Sequence, residues 1–294
     1  MPAFVATLVA DPANANLSDA AIVRVAQGLH AKEIRWLASG VAVDLFFEGP
    51  PADRFALEAG SDELGADFIV QPVATRDKKL LVADMDSTLI GQECIDELGW
   101  VAGIGDRVAA ITERAMRGEL EFAGALTERV GLLAGLPVAA IQDLLARRIT
   151  LNRGAKTLAA TFRARGGYFA IVSGGFVPFT GAVASWLGAD EHRANLLEAA
   201  DGRLTGRVIA PIQGADAKLQ ALRELRSRLG LPVTATLAVG DGANDLPMLT
   251  EAGLGVAYRA KPKVAAAAHA RVERADLTAL LYAMGVSREE FVES

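Results

Sequence analysis

The sequence holds a single cysteine, Cys94, so the chain cannot form an internal disulfide bond. It also has no apolar run that approaches the roughly 18 residues of a membrane-spanning helix. The apolar stretch near the N-terminus has no positively charged segment before it, and Asp11 interrupts it, so we predict no secretion signal. These absences predict a soluble protein with no membrane partner that works in a reducing compartment, the cytoplasm.

Basic runs are equally short, because no run of lysine or arginine exceeds two residues. With 30 basic against 36 acidic residues, the net charge is −6 at pH 7, which argues against a nucleic-acid partner. An anionic substrate therefore needs a local cation. Apolar residues, in contrast, are abundant: 51% of the 294 residues are hydrophobic, enough for a sizeable core in one large or two unequal domains.

Residues 1–75 alternate between strand and helix patterns. Apolar positions at helical spacing follow Ser18, a residue type that often caps helix N-termini. The predicted order is βαββαβ, with strands at 4–10, 33–38, 41–47 and 67–73 and helices at 18–30 and from about 51 to 57. This ferredoxin-like α+β order resembles the ACT domains, which are small regulatory modules. The resemblance rests on element order and size alone.

Residues 76–294 follow a different pattern, in which short β-branched runs alternate with helical segments. Strands are predicted at 80–83, 168–172, 236–239 and 255–257. This alternation predicts an α/β domain with a parallel, Rossmann-like sheet. Between about 100 and 152 the sequence has amphipathic helical segments and no strand pattern, which predicts an inserted helical cap larger than an ordinary connection.

Polar residues follow three of these predicted strands, at 84–88, 173–176 and 240–245. Ligands of an open parallel sheet bind at the carboxyl ends of its strands, so we expect these segments to meet. Carboxylates gathered there repel one another unless a cation neutralises them, and oxygen ligands suit Mg²⁺. Asp84 and Asp241 are the candidate carboxylate ligands. The backbone N–H groups of Ser173–Gly175 suit a phosphate.

Asp84 and Asp86 lie two positions apart, so in an extended segment their side chains point to the same side. Taken alone, such aspartates are more often turn or cap residues. In an active site, one aspartate can attack phosphorus to form an acyl phosphate. The other can protonate the leaving alkoxide and then take a proton from water. Mg²⁺ and a lysine would stabilise the charge on the phosphoryl oxygens.

Four segments, in order, resemble the motifs of the haloacid dehalogenase superfamily: DMDST at 84–88, SGG at 173–175, Lys218 and GDGANDLPML at 240–249. The resemblance implies Mg²⁺-dependent chemistry through an aspartyl phosphate. Asp84 is then the nucleophile and Asp86 the acid and base, and the metal is held by Asp84, Asp241 and the Asp86 carbonyl. The remaining implied residues are Ser173, Gly174, Lys218 and Asn244 for phosphate, and Thr88, Gly175 and Asp245 in support.

Two longer segments, DMDSTLIGQECIDELG and the cap segment MRGELEFAGALTERVGLL, are similar to the phosphoserine phosphatases. This resemblance implies that Glu93 faces the substrate ammonium group, that Arg129 binds the substrate carboxylate and that Phe122 walls the site. A planar guanidinium matches a carboxylate, and a glutamate offers a counter-charge to an ammonium. The implied reaction is hydrolysis of O-phospho-L-serine. Met85 stands where this family frequently has phenylalanine, a volume-tolerant change.

Other interpretations remain open for these residues. Lys218 belongs to a charge-rich helix face, where lysines are normally solvated. Arg129 could pair with Glu128 or Glu121 on the cap surface, where exposed pairs contribute little. Glu93 could simply interact with a helix dipole.

Two other functions also compete with the phosphoserine phosphatase hypothesis. One is a phosphotransferase or phosphatase of the same fold that acts on another small phosphomonoester. The other is a regulatory amino-acid-binding protein in which the ACT-like part is the working part. For residues 1–75, serine feedback and homodimerisation are both open roles.

Overall fold

The computed structural model describes residues 2–49, 64–116 and 119–293. Within these ranges the chain forms a four-stranded antiparallel sheet followed by a seven-stranded, mostly parallel sheet. No helix in the described ranges is both long enough and apolar enough to cross a membrane. The predicted fold class is confirmed: an α/β parallel sheet with inserted helices, preceded by a small antiparallel sheet.

The small sheet has the strand order β2-β3-β1-β4, and each neighbouring pair is antiparallel. Its strands are β1 (Phe4–Ala10), β2 (Glu33–Ala38), β3 (Ala42–Phe47) and β4 (Ala66–Pro72). Helix α1 (Asp19–Gly28) buries Ile22 against this sheet, and Ser18 caps the helix by accepting the Ala21 N–H at 3.3 Å. The helix predicted from about residue 51 lies outside the described residues.

The large sheet has the order β11-β10-β9-β5-β6-β7-β8 and is parallel except for the β7–β8 hairpin. Its strands are β5 (Leu80–Ala83), β6 (Tyr168–Phe176), β7 (Glu191–Ala200), β8 (Arg203–Ile209), β9 (Thr236–Gly240), β10 (Leu254–Tyr258) and β11 (Ala270–Val272). Because β5 lies between β9 and β6, the segments that follow these three strands are neighbours.

Four helices directly follow β5 along the chain, in and just before the region predicted to be the cap: α2 (Cys94–Val101), α3 (Gly105–Met116), α4 (Phe122–Gly131) and α5 (Ala139–Arg147). The other α-helices in the described ranges are α6 (Ala155–Ala164), α7 (Val177–Leu187), α8 (Ala215–Arg228), α9 (Leu246–Glu251), α10 (Pro262–Ala267) and α11 (Ala279–Ala283). Helix α8 follows β8 after a short loop. Its first turn contains Lys218, which lies near the carboxyl ends of the strands.

Strand β5 is buried on both faces, which explains its unbroken apolar sequence. Leu81 and Ala83 face one core, and Leu80 and Val82 face the other, as alternation along a strand requires. The first of these cores also contains Ile69 of β4. The small sheet therefore shares a hydrophobic core with the large one.

Polar contacts reinforce this junction, where β4 lies beside β11. The buried carboxylate of Asp67 accepts the backbone N–H groups of three successive residues, Glu273, Arg274 and Ala275, at 2.8–3.1 Å. Arg76 is buried as well and connects the small sheet to the carbonyl groups near the C-terminal end of α11. The two sheets are thus fastened edge to edge by buried hydrogen bonds.

Three strands were absent from the sequence-based prediction: β7, β8 and β11. Strand β7 reads EHRANLLEAA, in which Glu, Ala and Leu favour a helix. Its conformation follows from pairing with β6 on one side and β8 on the other, a case in which tertiary context overrides local propensity. Strand β6 also extends beyond the predicted end at 172, through Phe176.

Candidate active site

The candidate site lies where the ends of β9, β5 and β6 meet. Asp84 continues β5, and its backbone N–H donates to the Val239 carbonyl at 2.9 Å. Asp241 follows β9, and Ser173 lies in the C-terminal half of β6. The structure therefore brings the three predicted polar segments together at one edge of the sheet.

Lys218 lies at the centre of these strand ends. Its Nζ is 2.6 Å from Oδ2 of Asp84 and 2.7 Å from Oδ1 of Asp245. Burial alone lowers the pKa of Lys218, but the charges of Asp245 and Asp84 outweigh burial and hold the pKa above its ordinary value. The side chain is fully buried, so the interpretation of Lys218 as a solvated surface lysine is wrong.

Negative charge exceeds positive charge at this site. Asp84, Asp241 and Asp245 present carboxylate oxygens within 4.8 Å of one another. Burial, followed by the charge of Asp84, raises the pKa of Asp241 to about 7 and that of Asp245 to about 7. Lys218 therefore does not neutralise the whole cluster. A group of hard oxygen donors with uncompensated charge fits a divalent cation such as Mg²⁺.

The turn after β9 carries two residues of this cluster, Asp241 and Asp245. Oδ2 of Asp245 accepts the Gly242 N–H at 3.0 Å, and Oδ1 of Asp241 accepts the Thr88 hydroxyl at 3.2 Å. A β-carbon at Gly240 would lie 2.3 Å from Cγ of Asp245, so only glycine allows this approach. The side chain of Asn244 lies between Gly242 and the end of β6.

Asp86 lies in a more crowded position than Asp84. Its Oδ1 accepts the Cys94 N–H at 3.3 Å, and its Oδ2 would lie 2.5 Å from a β-carbon at Gly175. Burial, followed by the charge of Glu93, raises the pKa of Asp86 well above its ordinary value. This shift favours the protonated form of the carboxyl group, which is the form that a general acid needs.

The end of β6 bulges towards the cluster. The pairing of β6 with β7 shifts between Val172 and Phe176, so Ser173–Gly175 stands out from the regular ladder. The Ser173 hydroxyl accepts the Gly175 N–H at 2.9 Å. Successive backbone N–H groups freed from a ladder in this way form the kind of concavity that binds anions.

The aromatic ring of Phe122, the first residue of α4, lies over this bulge. A β-carbon at Gly174 would lie 2.9 Å from Cζ of the ring, and one at Gly214 would lie 3.2 Å from Cδ1. Glycine at both positions therefore lets the cap approach the sheet closely, with Phe122 as the contact. Phe122 is partly buried and forms an apolar wall at the cap side of the site.

Glu93 precedes helix α2 as its N-cap residue, but its side chain does not cap the helix. Its Oε1 accepts the Ser87 hydroxyl at 2.5 Å. Ser87 has a positive φ of 54°, which turns the backbone directly after Asp86. The carboxylate of Glu93 is thus held beside the DMDST segment and stays open to solvent on its other side.

Arg129 extends from α4 towards the same region. It donates from Nη1 to the Thr112 hydroxyl at 3.2 Å and from Nε to the Ala125 carbonyl at 3.3 Å. Burial lowers the pKa of Arg129, and the carboxylates of Asp96 and Glu93 oppose that shift. The guanidinium is therefore a partly buried cation that faces two carboxylates on α2 and its N-cap.

The interpretation of Arg129 as a partner of Glu128 is wrong, because Glu128 instead binds Arg114 at 2.9 Å. Sequence reasoning also passed over two residues that contact this site. Ser87 lies inside the DMDST motif, and this position could have marked it as a site residue. Asn195, which contacts the β6 bulge, lies in a strand that was not predicted, and no local pattern marks it.

Comparison with known proteins identifies the family of the chain. The family model of the haloacid dehalogenase-like hydrolases matches residues 81–250, more than half of the chain. A solved structure of a HAD family hydrolase from Salmonella enterica matches with a TM-score of 0.86 at 30% identity. The match covers 96% of this chain and 98% of the Salmonella chain. The likeness therefore includes the small sheet as well as the large one.

Two curated relatives are named phosphoserine phosphatase. The Streptomyces coelicolor protein is 45% identical over 239 residues, which are 81% of this chain and 58% of the relative. The Archaeoglobus fulgidus protein is 43% identical over 240 residues, which are 81% of this chain and 70% of the relative. The chain thus spans less than two thirds of the length of the Streptomyces relative. It belongs to the haloacid dehalogenase-like hydrolases and, within them, to the phosphoserine phosphatase family.

Proposed function

We propose that the protein is a Mg²⁺-dependent phosphoserine phosphatase that hydrolyses O-phospho-L-serine to L-serine and phosphate, the last step of L-serine biosynthesis. One observation carries the proposal: near the Asp84–Lys218 contact of 2.6 Å lie one carboxylate, Glu93, and one guanidinium of the predicted cap, Arg129. Phosphoserine has a phosphate for the first pair and an ammonium and a carboxylate for the second. The names of the curated relatives support the same substrate.

In the proposed reaction, a carboxylate oxygen of Asp84 attacks phosphorus and forms an aspartyl phosphate, while the bond from phosphorus to the serine oxygen breaks. Asp86 gives its proton to that departing oxygen, a role that its raised pKa supports. Asp86 then takes a proton from a water molecule that attacks the aspartyl phosphate and releases phosphate. The ammonium of Lys218 stabilises the negative charge of the phosphoryl oxygens throughout.

The metal would be held by the carboxylates of Asp84 and Asp241 and by the Asp86 carbonyl, with Asp245 in support. When bound, Mg²⁺ supplies positive charge that offsets the carboxylates and polarises the phosphoryl group. Thr88 supports this site by donating to Asp241. The proposed phosphate ligands are the bulge residues Ser173 and Gly174, with Gly175 in support, together with Lys218 and Asn244.

The amino-acid part of the substrate is proposed to bind on the cap side. Arg129 would bind the substrate carboxylate with its planar fork, and Glu93 would bind the ammonium group. Phe122 closes the site over the bulge and keeps bulk water from the aspartyl phosphate. A phosphomonoester that lacks one of the two charged groups should therefore be a poorer substrate.

We also propose that residues 1–75 form an ACT-like domain and that residues 76–294 form the catalytic unit, with the cap at about 100–152. The order β2-β3-β1-β4 and helix α1 support the ACT-like assignment. Serine feedback and homodimerisation are the two proposed roles. Calorimetric titration with L-serine tests the first, and the mass in solution tests the second. The single buried cysteine supports a cytoplasmic location.

The central experiment measures phosphate release with Mg²⁺ from three compounds. Phosphoserine carries both charged groups, phosphoethanolamine lacks the carboxylate, and 3-phosphoglycerate has a hydroxyl in place of the ammonium. We expect the highest kcat/KM for phosphoserine. Asp84→Asn should abolish turnover and should also fail to retain label from ³²P-phosphoserine after acid quenching. Equal rates for wild type and Asp84→Asn would refute the mechanism.

Two variants separate the substrate contacts. Glu93→Gln should reduce the kcat/KM preference for phosphoserine over 3-phosphoglycerate. Arg129→Met should reduce the kcat/KM preference for phosphoserine over phosphoethanolamine. Each reduction should be about 10- to 100-fold, the range for a hydrogen bond to a charged group. Glu128→Gln removes the same charge from the cap surface and should change neither preference. If phosphoserine is not among the best substrates, the enzyme is a phosphatase or phosphotransferase for another phosphomonoester.

A further inference from the structure

Asn195 is a buried polar residue of β7 for which the reaction above has no role. Its side chain is 1% exposed and makes three hydrogen bonds. Nδ2 donates to the Gly174 carbonyl at 2.8 Å and to the Gln213 carbonyl at 3.2 Å. Oδ1 accepts the Gln213 N–H at 2.7 Å. One amide side chain thus connects the bulge at the end of β6 to the loop that precedes α8.

Asn195 contacts Gly174 at the point where the regular hydrogen bonding between β6 and β7 is interrupted. Asn195 is the β7 residue that pairs with Phe176, directly after the register shift. Since the bulge frees its backbone groups from β7, the Gly174 carbonyl needs another donor. The Asn195 amide supplies that donor from the sheet side. The carbonyl is thereby held at the sheet, and this contact fixes the orientation of the Ser173–Gly175 backbone that is proposed to face the phosphate.

The contact with Gln213 acts on a second group of the site. Gly214 follows directly and is the N-cap of α8, and its carbonyl accepts the Lys218 N–H at 3.1 Å. Fixing Gln213 therefore fixes the first turn of the helix that carries the buried ammonium. The ring of Phe122 rests on both Gly174 and Gly214, so the two loops that Asn195 joins also form the surface that receives the cap.

We propose that Asn195 is a positioning residue for phosphoryl binding: it sets the distance between the Ser173–Gly175 bulge and Lys218 by hydrogen-bonding the backbone on both sides. The inference rests on the proposed function, because both groups are assigned to the phosphate there. It adds a residue that touches neither substrate nor metal. Reacting groups held slightly out of place lose large rate factors, so the effect should appear in phosphate affinity and kcat.

The test compares Asn195→Asp with wild type in the full-length chain. The aspartate keeps the shape and the acceptor for Gln213, but it cannot donate to the Gly174 carbonyl and repels it. Asn195→Ser, which is smaller and neutral, serves as the second variant if the aspartate prevents folding. Gln71→Leu is the matched control, because Gln71 is a buried amide that donates to the Ala283 carbonyl at 2.7 Å, away from the site.

Three quantities are measured: orthophosphate affinity by calorimetry in the presence of Mg²⁺, kcat with phosphoserine, and the thermal unfolding midpoint. We expect Asn195→Asp and Asn195→Ser to weaken orthophosphate binding about tenfold and to lower kcat about 10- to 100-fold, as misplaced reacting groups do. Gln71→Leu should lower only the unfolding midpoint. A folded Asn195 variant with orthophosphate affinity and kcat within about twofold of wild type would overturn the proposal.

The calorimetry also separates this inference from the proposed function. A wild-type protein that binds orthophosphate but does not turn over phosphoserine refutes the proposed substrate, and the effect of Asn195 on affinity is still measured. A wild-type protein that binds no orthophosphate at millimolar concentration refutes the phosphate site and the positioning role together.

Discussion

Arg76 offers a stringent test of how the two sheets are joined. Its Nη1 and Nη2 lie 2.7 and 3.0 Å from the two carboxylate oxygens of Asp44, a bidentate pair. Nε donates to the Ala283 carbonyl and Nη2 to the Tyr282 carbonyl, each at 2.9 Å. Asp44 is fully buried and also accepts the Thr7 hydroxyl at 2.7 Å. Arg76→Met would keep much of the volume and remove every one of the guanidinium bonds.

The expected cost follows from what Arg76→Met leaves behind. Asp44 loses its counter-charge but stays buried, and breaking a buried ion pair in this way costs about 3–5 kcal/mol. That is a large part of the roughly 5–15 kcal/mol by which a folded domain is stable. In the double variant with Asp44→Leu neither charge of this pair remains, so the double variant should be more stable than Arg76→Met alone. The matched control is Arg35→Met: Arg35 forms an exposed pair with Glu33, and its loss should cost less than about 1 kcal/mol.

Urea unfolding measures these free energies, with tryptophan fluorescence and circular dichroism as separate probes. Trp36 lies in β2, whereas Trp100 lies in the cap and Trp186 in α7, so fluorescence reports on both sheets. Because the sheets share a core, the two probes should shift together in Arg76→Met. A loss below about 1 kcal/mol, or a loss equal to that of Arg35→Met, would refute the argument that buried charge pairing joins the sheets.

Three further predictions concern individual side chains. Lys218→Met should lower kcat about 100- to 1000-fold, the range for loss of a preorganised charge, whereas Lys78→Met, the control at another buried lysine, should leave kcat near wild type. Arg129→Lys keeps the charge but loses the planar fork, so KM for phosphoserine should rise about tenfold, and Arg114→Lys on the cap surface should not change KM. Equal KM values for the two variants would contradict the assigned carboxylate contact. Burial lowers the pKa of Lys78 to about 8 from 10.5, so between these pH values the unfolded chain binds more protons than the folded one. Wild-type stability should therefore rise relative to Lys78→Met as pH rises through this window, by up to about 3 kcal/mol, and parallel stability curves for the two proteins would contradict this sign.

The fold was predictable where one strand or helix carried its own pattern. Strands β1, β2 and β5 begin and end at the predicted residues, because their apolar and β-branched runs are bounded by polar or glycine-containing turns. The hairpin β7–β8 was not predictable in this way. Only Asn195 and Leu204 of its residues are buried, so the hairpin has no regular alternation of apolar and polar residues. In addition, β7 pairs with β6 across the intervening helix α7.

The sequence predicted which segments come together at the site, but not the contacts between their side chains. The rule that ligands bind at strand ends placed Asp84 and Asp241 together, and the motif order added Lys218. The roles of these residues remain predictions. The contact between Lys218 and Asp245 and the raised pKa of Asp86 could not be read from spacing, because both depend on how loops of different sequence position pack and exclude water.

The edge-to-edge junction changes how a truncated protein would behave. Strand β11 is the last strand of the large sheet, and β4 and the Asp67 carboxylate cover its outer side. Cutting the chain after residue 75 would uncover this edge and remove the Asp67 carboxylate that accepts the N–H groups of Glu273, Arg274 and Ala275. Uncovered strand edges pair with other chains. The fragment that remains should self-associate through β11, and its oligomeric mass would report the cut surface rather than the native assembly.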